Sequence, residues 1–381
     1  MPPRNLWSNM RELLQILEIY DSLQHSPTKL ALATVVKVKG STYRRPGARM
    51  LMTDDGRTVG SISGGCLEGE VLEKAKLHVM NGKAQLAVYD MVSDADVWGL
   101  NQGCNGIMHL LLEPVTHPQG AIQFRFLHHC LRGQRRGVMA TVFRVEGEIK
   151  VELGARVMLS EDGTVTEDVR EPFLTAALLE DCREILRSGR SANKEYRLTH
   201  GSVEAFIELL SPPLPLVIIG AGSDAMPVAR LAKELGWHVT VVDHRSALAT
   251  RERFPSADVL KVARPEDYPS ELAPSPDRAV VIMTHNFSHD LEILRHMLPT
   301  PLRYLGLLGP KQRTELLLRK LRESGSHPTE EQVARIHAPI GLDVGADSPE
   351  EIALSILAEI QAALSHRGGG SLKNHDGPIH P

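Results

Sequence analysis

The sequence feature that most constrains the fold is a short glycine-bearing turn between an apolar strand and a helix. The run LVIIGAGSDA (216–225) joins a β-branched strand to the pattern G-x-G-x-x-A, and a helical stretch follows directly. Gly220 and Gly222 permit a tight turn and a close approach of the backbone to a pyrophosphate at the helix N-terminus. Asp243 ends the next strand, where an acidic side chain can hydrogen-bond an adenosine ribose, so the pattern predicts a Rossmann-like fold.

Strands of the buried type alternate with helical stretches throughout the C-terminal part of the chain, which is typical of a parallel sheet with crossover helices. We predict these strands at 216–219, 238–243, 279–283 and 303–307. A capping box with proline at its first helical position, Ser348-Pro349-Glu350-Glu351, opens a last helix that runs to about Leu364. The second domain is therefore predicted to span 213–366, and a disordered tail is predicted for 367–381.

The preceding part of the chain has the pattern of a mixed α+β domain. It is predicted to end at Ser211-Pro212-Pro213, because adjacent prolines stop a strand and stiffen a linker. We predict helices at 8–23, 66–80 and 175–187, and strands at 30–38, 50–53, 58–60, 84–91, 107–113, 137–145, 150–159 and 203–210. No internal repeat is predicted. The fold class is thus α/β, with an N-terminal mixed α+β domain (1–212) followed by a C-terminal Rossmann-like parallel-sheet domain.

Composition excludes several classes of protein. The chain carries 43 Lys and Arg against 47 Asp and Glu and has 4% aromatic residues, so we expect no nucleic-acid surface. It contains no apolar run long enough to span a bilayer and no signal-peptide pattern, so we expect a cytoplasmic location without a membrane partner. The four cysteines show no zinc-site spacing, which predicts reduced thiols and no metal site.

The loop GSISGGCLE (60–68) is the first candidate site of the N-terminal domain. Backbone N–H groups of such a loop, at the start of a helix, can bind an anion without a basic residue. Cys66 lies at the same terminus, where the helix dipole favours the thiolate that can attack, carry sulfur or bind a soft metal. The alternative is a small cysteine packed beneath the helix. The candidate ligand residues of this loop are Ser61, Ser63, Gly64, Gly65 and Glu68.

Two other loops of the N-terminal domain carry residues suited to the same chemistry. Cys104 lies in a second glycine-flanked loop, WGLNQGCNG (98–106). If the two cysteine loops converge, both thiols and many backbone donors face one pocket. Arg44 and Arg49, on the polar loop that precedes them, can bind phosphate through their guanidinium groups, although single arginines are more often solvated.

In the second domain, the candidate ligand residues are Gly220, Gly222, Asp243, Arg245 and His285. Asp243 favours a ligand with a free 2′-hydroxyl, whereas Arg245 leaves a 2′-phosphate open, so NAD(P) or another nucleotide is the expected ligand. A Rossmann-like fold that serves only as a scaffold is the alternative. His285 follows a predicted strand, where it is either a general acid or base or simply hydrogen-bonded at the strand end.

Taken in order, these motifs resemble the XdhC/CoxI family of xanthine dehydrogenase accessory proteins. The resemblance is carried by GSTYRRPGARM, GSISGGCLEGEV and GLNQGCNG, and by VIIGAGSDAMPVARLAKELGWHVTVVDHR, MTHNFSHD, YLGLLGPK and PIGLDVGADSPEEIALSILAEI. It implies a maturation chaperone that binds the molybdenum cofactor (molybdopterin), supports its sulfuration with a cysteine desulfurase, and inserts it into a molybdenum hydroxylase apoenzyme. It also implies that Cys66 and Cys104 lie near the metal or near the sulfur in transit. Such a protein is an accessory factor rather than a turnover enzyme.

Two other functions remain open from the sequence. One is an NAD(P)-dependent oxidoreductase in which His285 is the acid or base and the first domain closes over the substrate, although this leaves the cysteine loops unexplained. The other is a nucleotide-sensing regulator in which neither domain performs chemistry. A homodimer is expected for each of the three functions, because two such domains need a partner surface to close the pocket.

Overall fold

The structure is a computed structural model that describes residues 10–90, 106–115, 119–268, 272 and 275–374. The chain divides into two compact units, one ending at Pro212 and the other beginning at Pro213. The first unit is built on antiparallel sheets with helices, and the second is built on a parallel sheet. These architectures confirm the predicted fold class. The predicted tail lies partly outside the described residues, and its disorder stays a prediction.

The N-terminal unit contains two antiparallel sheets with their helices. In chain order its elements are α1 (Met10–Leu23), β1 (Leu30–Gly40), β2 (Arg49–Thr53), β3 (Thr58–Gly60), α2 (Glu68–Lys74, continued by a π-helical turn at Ala75–Val79), β4 (Gln85–Asp90), β5 (Gly106–Pro114), α3 (Gln119–Arg132), β6 (Gly137–Gly147), β7 (Arg156–Ser160), β8 (Val165–Glu167), α4 (Pro172–Ser188), β9 (Ala192–Leu198) and β10 (Gly201–Leu210). The strand order is β3-β2-β1-β5-β4 in one sheet and β8-β7-β6-β10-β9 in the other. The two sheets therefore have the same topology.

The second sheet repeats the first at a fixed distance along the chain. Equivalent strands begin at residues 30 and 137, 49 and 156, and 58 and 165, a constant separation of 107 positions. The strands β1 and β6 also bury the same positions along their length. The N-terminal unit thus consists of two copies of one motif, and the prediction of no internal repeat was wrong.

The repeat is visible in the sequence once the two segments are placed side by side. ATVVKVKG (33–40) corresponds to ATVFRVEG (140–147), and GARMLMTDDG (47–56) corresponds to GARVMLSEDG (154–163). The loops between these segments, STYRRP and EIKVEL, have nothing in common and conceal the match. They also explain the error in the strand predicted at 150–159, which begins at Arg156 because the preceding residues form the second copy of the loop.

Two buried ion pairs join the copies. Arg49 on β2 donates to both carboxylate oxygens of Glu208 on β10, and Arg156 on β7 donates to those of Glu113 on β5 at 2.7 and 2.6 Å. All four side chains are at most 11% exposed. Each copy therefore supplies the counter-ion of the arginine in the other, in an environment where an unpaired charge is strongly destabilising.

Apolar side chains of both copies also form a shared core. The amphipathic helix α1 buries Leu17 and Tyr20, and the ring of Tyr20 stacks on Phe124 of α3 with 3.9 Å between the ring centroids. Leu32 of β1 and Met139 of β6 belong to the same buried cluster. Because the apolar faces of α1 and α3 close over strands of both copies, the two sheets share this hydrophobic cluster.

The C-terminal unit is a six-stranded parallel sheet with helices between the strands. Its elements are β11 (Pro215–Ile219), α5 (Ala225–Glu234), β12 (His238–Asp243), β13 (Val259–Val262), β14 (Ala279–Ile282), α6 (Phe287–Met297), β15 (Tyr304–Leu307), α7 (Lys311–Glu323), α8 (Glu330–Ala334), β16 (Ile336–His337) and α9 (Pro349–Leu364). The order β13-β12-β11-β14-β15-β16 contains all four predicted strands. The edge strands β13 and β16 were missed, because they are short and are not fully buried.

The order of the strands places a crevice at the centre of this sheet. The chain leaves β11 towards β12 on one side and returns to β14 on the other, so the topological switch point lies between β11 and β14. Ligands of open parallel sheets bind at the carboxyl ends of the strands at such a point. The last helix, α9, begins with the predicted capping box between Ser348 and Glu351. No helix in the described part of the chain is long and apolar enough to cross a membrane.

Candidate functional site

The glycine-rich loop after β3 is folded around a carboxylate of the chain itself. Glu68, the first residue of α2, accepts hydrogen bonds from five backbone N–H groups and two hydroxyl groups of this loop. The N–H donors are Ile62 (3.2 Å), Ser63 (2.9 Å), Gly64 (3.1 Å), Gly65 (3.0 Å) and Leu67 (3.2 Å), and the hydroxyl donors are Ser61 (2.8 Å) and Ser63. The loop therefore binds an anion, as its composition predicts, and that anion is the side chain of Glu68.

The hydrogen bonds determine the charge of this carboxylate. Burial alone would raise the pKa of Glu68, but the hydrogen bonds from Ser63 and Ser61 outweigh burial and lower the pKa to about 2. Glu68 therefore stays ionised at neutral pH, and its carboxylate accepts the hydrogen bonds of the loop as a charged group. In this structure, Ser61, Ser63, Gly64 and Gly65 all donate to Glu68. The predicted ligand roles of these four residues and of Glu68 stay predictions.

Cys66 lies on this fixed turn with its side chain exposed. Its neighbours Gly65 and Leu67 both donate to Glu68, and no atom of the described residues lies within 4 Å of the position that a Cβ would take at Gly65. The ring of Tyr43 covers Gly64, where a Cβ would lie 2.7 Å from Tyr43 Cδ1. The exposure of Cys66 is contrary to the alternative of a cysteine packed beneath the helix.

The other described cysteines have a different environment. Cys130 on α3 and Cys182 on α4 are buried, and burial raises the pKa of each thiol to about 12. Both are therefore protonated packing residues. Cys104 lies outside the described residues, as does most of its loop, so its predicted position near Cys66 stays a prediction.

The two arginines predicted to bind phosphate are paired with acidic residues. Arg44 donates to Glu12 of α1, with 3.0 Å between Nη1 and Oε1. Arg49 is buried in its pair with Glu208 and also donates to the carbonyl of Gly47 at 2.9 Å. The sequence shows a basic loop but contains no sign of the distant carboxylates that these side chains reach.

We expect Glu68→Gln to loosen the turn that carries Cys66. The amide keeps the size of the side chain but removes the charge that its donors face, and a hydrogen bond to a charged group contributes about 1.5–3 kcal/mol. Hydrogen exchange of the amides of residues 62–67 should therefore accelerate by at least about tenfold. The exposed Glu73→Gln on the same helix is the matched control and should leave exchange unchanged.

The pH dependence of the same exchange gives an independent check. The folded-state pKa of Glu68 is depressed from 4.5 to about 2, so its stabilising effect is complete above about 4.5 and is lost as the pH falls towards 2. The wild-type loop should loosen over that range, and Glu68→Gln should abolish the change. Equal exchange in both proteins at neutral pH would contradict the role of Glu68.

Asp243, at the end of β12, is enclosed by hydrogen bonds. It accepts from the N–H of Ala221 at 2.7 Å, from the N–H of Arg245 at 2.8 Å, and from Nε and Nη2 of Arg245 at 2.9 and 2.8 Å. Burial would raise the pKa of Asp243, but these hydrogen bonds from Arg245 and Ala221 lower it to about 2. Asp243 and Arg245, both predicted to bind a ribose or its phosphate, thus bind each other.

His285 lies at the end of β14, close to the glycine turn after β11. Its backbone has a positive φ of 57°, which is uncommon for a residue other than glycine. Its Nε2 lies 2.7 Å from Oδ2 of Asp224, the residue that precedes α5. The structure thus brings His285 close to Gly222, and it adds Asp224, which was not among the predicted residues. Among the described residues, no three His, Cys, Asp or Glu side chains are arranged to hold a metal ion.

Comparison with known proteins gives consistent matches along the chain. The model of the "XdhC and CoxI family" matches residues 23–90 and 130–198, and that of the "XdhC Rossmann domain" matches 216–360. The chain is 35% identical over 343 residues to a protein of Bacillus subtilis (strain 168) named as a probable subunit of xanthine dehydrogenase, covering 89% of this chain and 94% of that protein. It is 25% identical over 337 residues to the molybdenum cofactor insertion chaperone PaoD of Escherichia coli (strain K12), covering 88% and 84% of the two proteins.

A solved structure shares the fold over nearly the whole chain. A crystal structure described as a xanthine dehydrogenase from Bacillus halodurans superposes with a TM-score of 0.75 at 30% sequence identity, covering 94% of this chain and 98% of that chain. The first family model matches twice, and its two matches begin at residues 23 and 130, the same separation as between the two copies of the motif. The comparisons therefore identify the same repeat as the sheet topology does.

Proposed function

The chain belongs to the XdhC and CoxI family, and from this premise we propose that it is a maturation chaperone for a molybdenum hydroxylase. In this proposal it binds the molybdenum cofactor as cargo, protects it during sulfuration by a cysteine desulfurase, and delivers it to the apoenzyme. The name of the E. coli relative, a molybdenum cofactor insertion chaperone, supports the cargo, and the names of the two Bacillus relatives support a xanthine dehydrogenase as the client.

The observation that carries the proposal is the exposed thiol of Cys66 on a turn that Glu68 holds in place. Thiolates are ligands of soft metal centres and carriers of sulfur, and both chemistries require a thiol that a large ligand can reach. A fixed backbone around the thiol reduces the entropy lost when the cargo binds. Among the described residues, no atom lies within 4 Å of a Cβ placed at Gly65, the residue before Cys66.

The second copy of the motif contains no counterpart of the loop that carries Cys66. The stretch that follows β8, DVREP (168–172), contains neither glycine nor cysteine, whereas the stretch after β3 contains both. In the second copy, the side chain of Glu171 caps α4 by accepting from the N–H of Leu174. We infer that the first copy performs the chemistry and that the second stabilises it through the shared core and the crossed ion pairs.

We expect Cys66→Ala to abolish most of the activation of the client. The variant removes the thiol from a turn whose backbone is held by Glu68, so the fold should be unaffected. Client activation and retention of cofactor should both fall by at least about tenfold. This is the effect of losing an interaction that contributes about 1.4 kcal/mol or more to binding. The measurement is the activity of apo-hydroxylase after incubation with cofactor-loaded chaperone, together with the molybdenum and pterin content of the purified chain.

Cys182→Ala is the matched thiol control, because it removes a buried sulfur far along the sequence from the turn. It should retain cofactor and activate the client as the wild type does. Normal retention and activation by Cys66→Ala would contradict the proposed role of the thiol. Pull-down of a cysteine desulfurase and of the apoenzyme, and the mass of the native assembly, test the proposed partners and the proposed homodimer.

The alternative of an NAD(P)-dependent oxidoreductase has less support. It requires a dinucleotide on the glycine turn of the Rossmann domain, where the side chains of Asp224 and His285 meet. It also gives no role to the exposed thiol of Cys66.

A cytoplasmic location agrees with the proposed client and remains part of the proposal.

A further inference from the structure

The Asp224–His285 pair lies at the switch point of the parallel sheet. Asp224 belongs to the turn after β11, and His285 belongs to the segment after β14, so the pair joins the two loops that form the walls of the crevice. This is the place where open parallel sheets bind their ligands. The charge and the hydrogen-bonding groups of Asp224 and His285 therefore determine which ligand the crevice can bind.

Both side chains cover the surface of Gly222. A Cβ at Gly222 would lie 2.5 Å from Oδ1 of Asp224 and 3.9 Å from Cδ2 of His285. In dinucleotide-binding folds, the second glycine of the pattern is the point where the backbone approaches the pyrophosphate. Here a carboxylate takes that place, so the pyrophosphate of a dinucleotide would meet a negative charge at contact distance. The site does not fit NAD(P).

The carboxylate of Asp224 instead provides an acceptor for a ligand with N–H groups. Oδ2 is hydrogen-bonded to His285, whereas Oδ1 has no hydrogen bond from any of the residues that the structure describes. The Asp224 side chain is 18% exposed and that of His285 is 62% exposed, so both can be reached from solvent. A 2-amino-4-oxo pyrimidine ring presents adjacent N–H donors, and Oδ1 can accept a hydrogen bond from one of them.

We propose that the Rossmann crevice binds a pterin ring, with Asp224 Oδ1 accepting a hydrogen bond from its 2-amino-4-oxo edge and His285 orienting the carboxylate. The proposal rests on the proposed function, because a pterin is the organic part of the proposed cargo. Guanine has the same edge, so guanosine is the second source of this chemistry.

Titration of the full-length chain with pterin, followed by the fluorescence of the pterin, tests the proposal. The wild type should quench the fluorescence saturably, and it should bind NADH at least about tenfold more weakly than pterin. Asp224→Asn should weaken pterin binding by about tenfold or more, since it removes the charge of the acceptor. His285→Gln should weaken it less, because it removes only the group that orients Asp224. Asp277→Asn, at an exposed aspartate of the same unit, is the matched control and should bind pterin normally.

Three results would overturn the proposal. They are NADH binding by the wild type as tight as pterin binding, guanosine binding tighter than pterin binding, and unchanged pterin binding by both Asp224→Asn and His285→Gln. The first two need no variant, so they decide the question even if a substitution impairs folding. If Cys66→Ala loses client activation while Asp224→Asn keeps its pterin affinity, this inference fails and the proposed function stands. If Asp224→Asn loses pterin affinity while Cys66→Ala activates the client normally, the inference stands and the proposed role of Cys66 fails.

Discussion

Glu208→Ala should lower the free energy of unfolding by about 3–5 kcal/mol, because it leaves a buried arginine without its counter-ion. The Glu208 carboxylate accepts from both terminal nitrogens of Arg49, and the two side chains are 11% and 5% exposed. Little water can replace the lost partner at such a site. Because Glu113 holds the same place opposite Arg156, Glu113→Ala should have an effect of similar size. Urea denaturation with parallel detection by circular dichroism and fluorescence measures both.

The control for this prediction is an ion pair on the surface of the same unit. Glu180 on α4 pairs with Arg183, and their side chains are 64% and 53% exposed. Because exposed pairs contribute about 0–1 kcal/mol, Glu180→Ala should change stability by no more than that. If Glu208→Ala and Glu180→Ala had equal effects, the crossed pairs would not be what joins the two copies. A loss of stability confined to the N-terminal unit would localise the effect further.

The fold was largely predictable because its strongest signals are local. The alternation of buried strands with helices gave four of the six parallel strands, and the capping box gave the first residue of α9. The repeat of the N-terminal unit was present in the sequence as GAR followed by a hairpin, but it required a comparison between segments 107 positions apart. The pairing of Arg49 with Glu208 could not be found locally, since it depends on how the two copies pack.

The candidate sites show a different limit of sequence reasoning. Both glycine loops were predicted to bind phosphate, and the structure shows carboxylates of the chain at both: Glu68 in the first domain, and Asp224 over Gly222 in the second. Glycines and a helix N-terminus indicate that an anion is favoured, but they do not distinguish a ligand from an acidic side chain a few residues away. A glutamate or aspartate within the motif is the signal that could have revealed this.

Gly220→Ala should destabilise the Rossmann unit by at least about 3 kcal/mol, the combined effect of a left-handed backbone and of overpacking. Gly220 has φ of 118°, which a side chain rarely adopts. Its new Cβ would also lie 2.4 Å from the carbonyl oxygen and 2.7 Å from the carbonyl carbon of Met283, so the backbone itself would have to move. The contact joins the carboxyl ends of β11 and β14, two strands in the middle of the sheet.

The matched control separates the two contributions. Gly163, in the hairpin between β7 and β8, has φ of 86°, and no atom in the described part of the chain lies within 4 Å of a Cβ there. Gly163→Ala should therefore lose only the backbone part, about 1–2 kcal/mol. The displacement of Met283 in Gly220→Ala also shifts His285, two residues further on, relative to Asp224. We therefore expect the folded fraction of Gly220→Ala to bind pterin more weakly, whereas Gly163→Ala should bind it as the wild type does. Equal stability losses in the two variants would show that the ends of β11 and β14 move apart easily to accommodate the new Cβ. The crevice between them would then not be the rigid site that the pterin proposal requires.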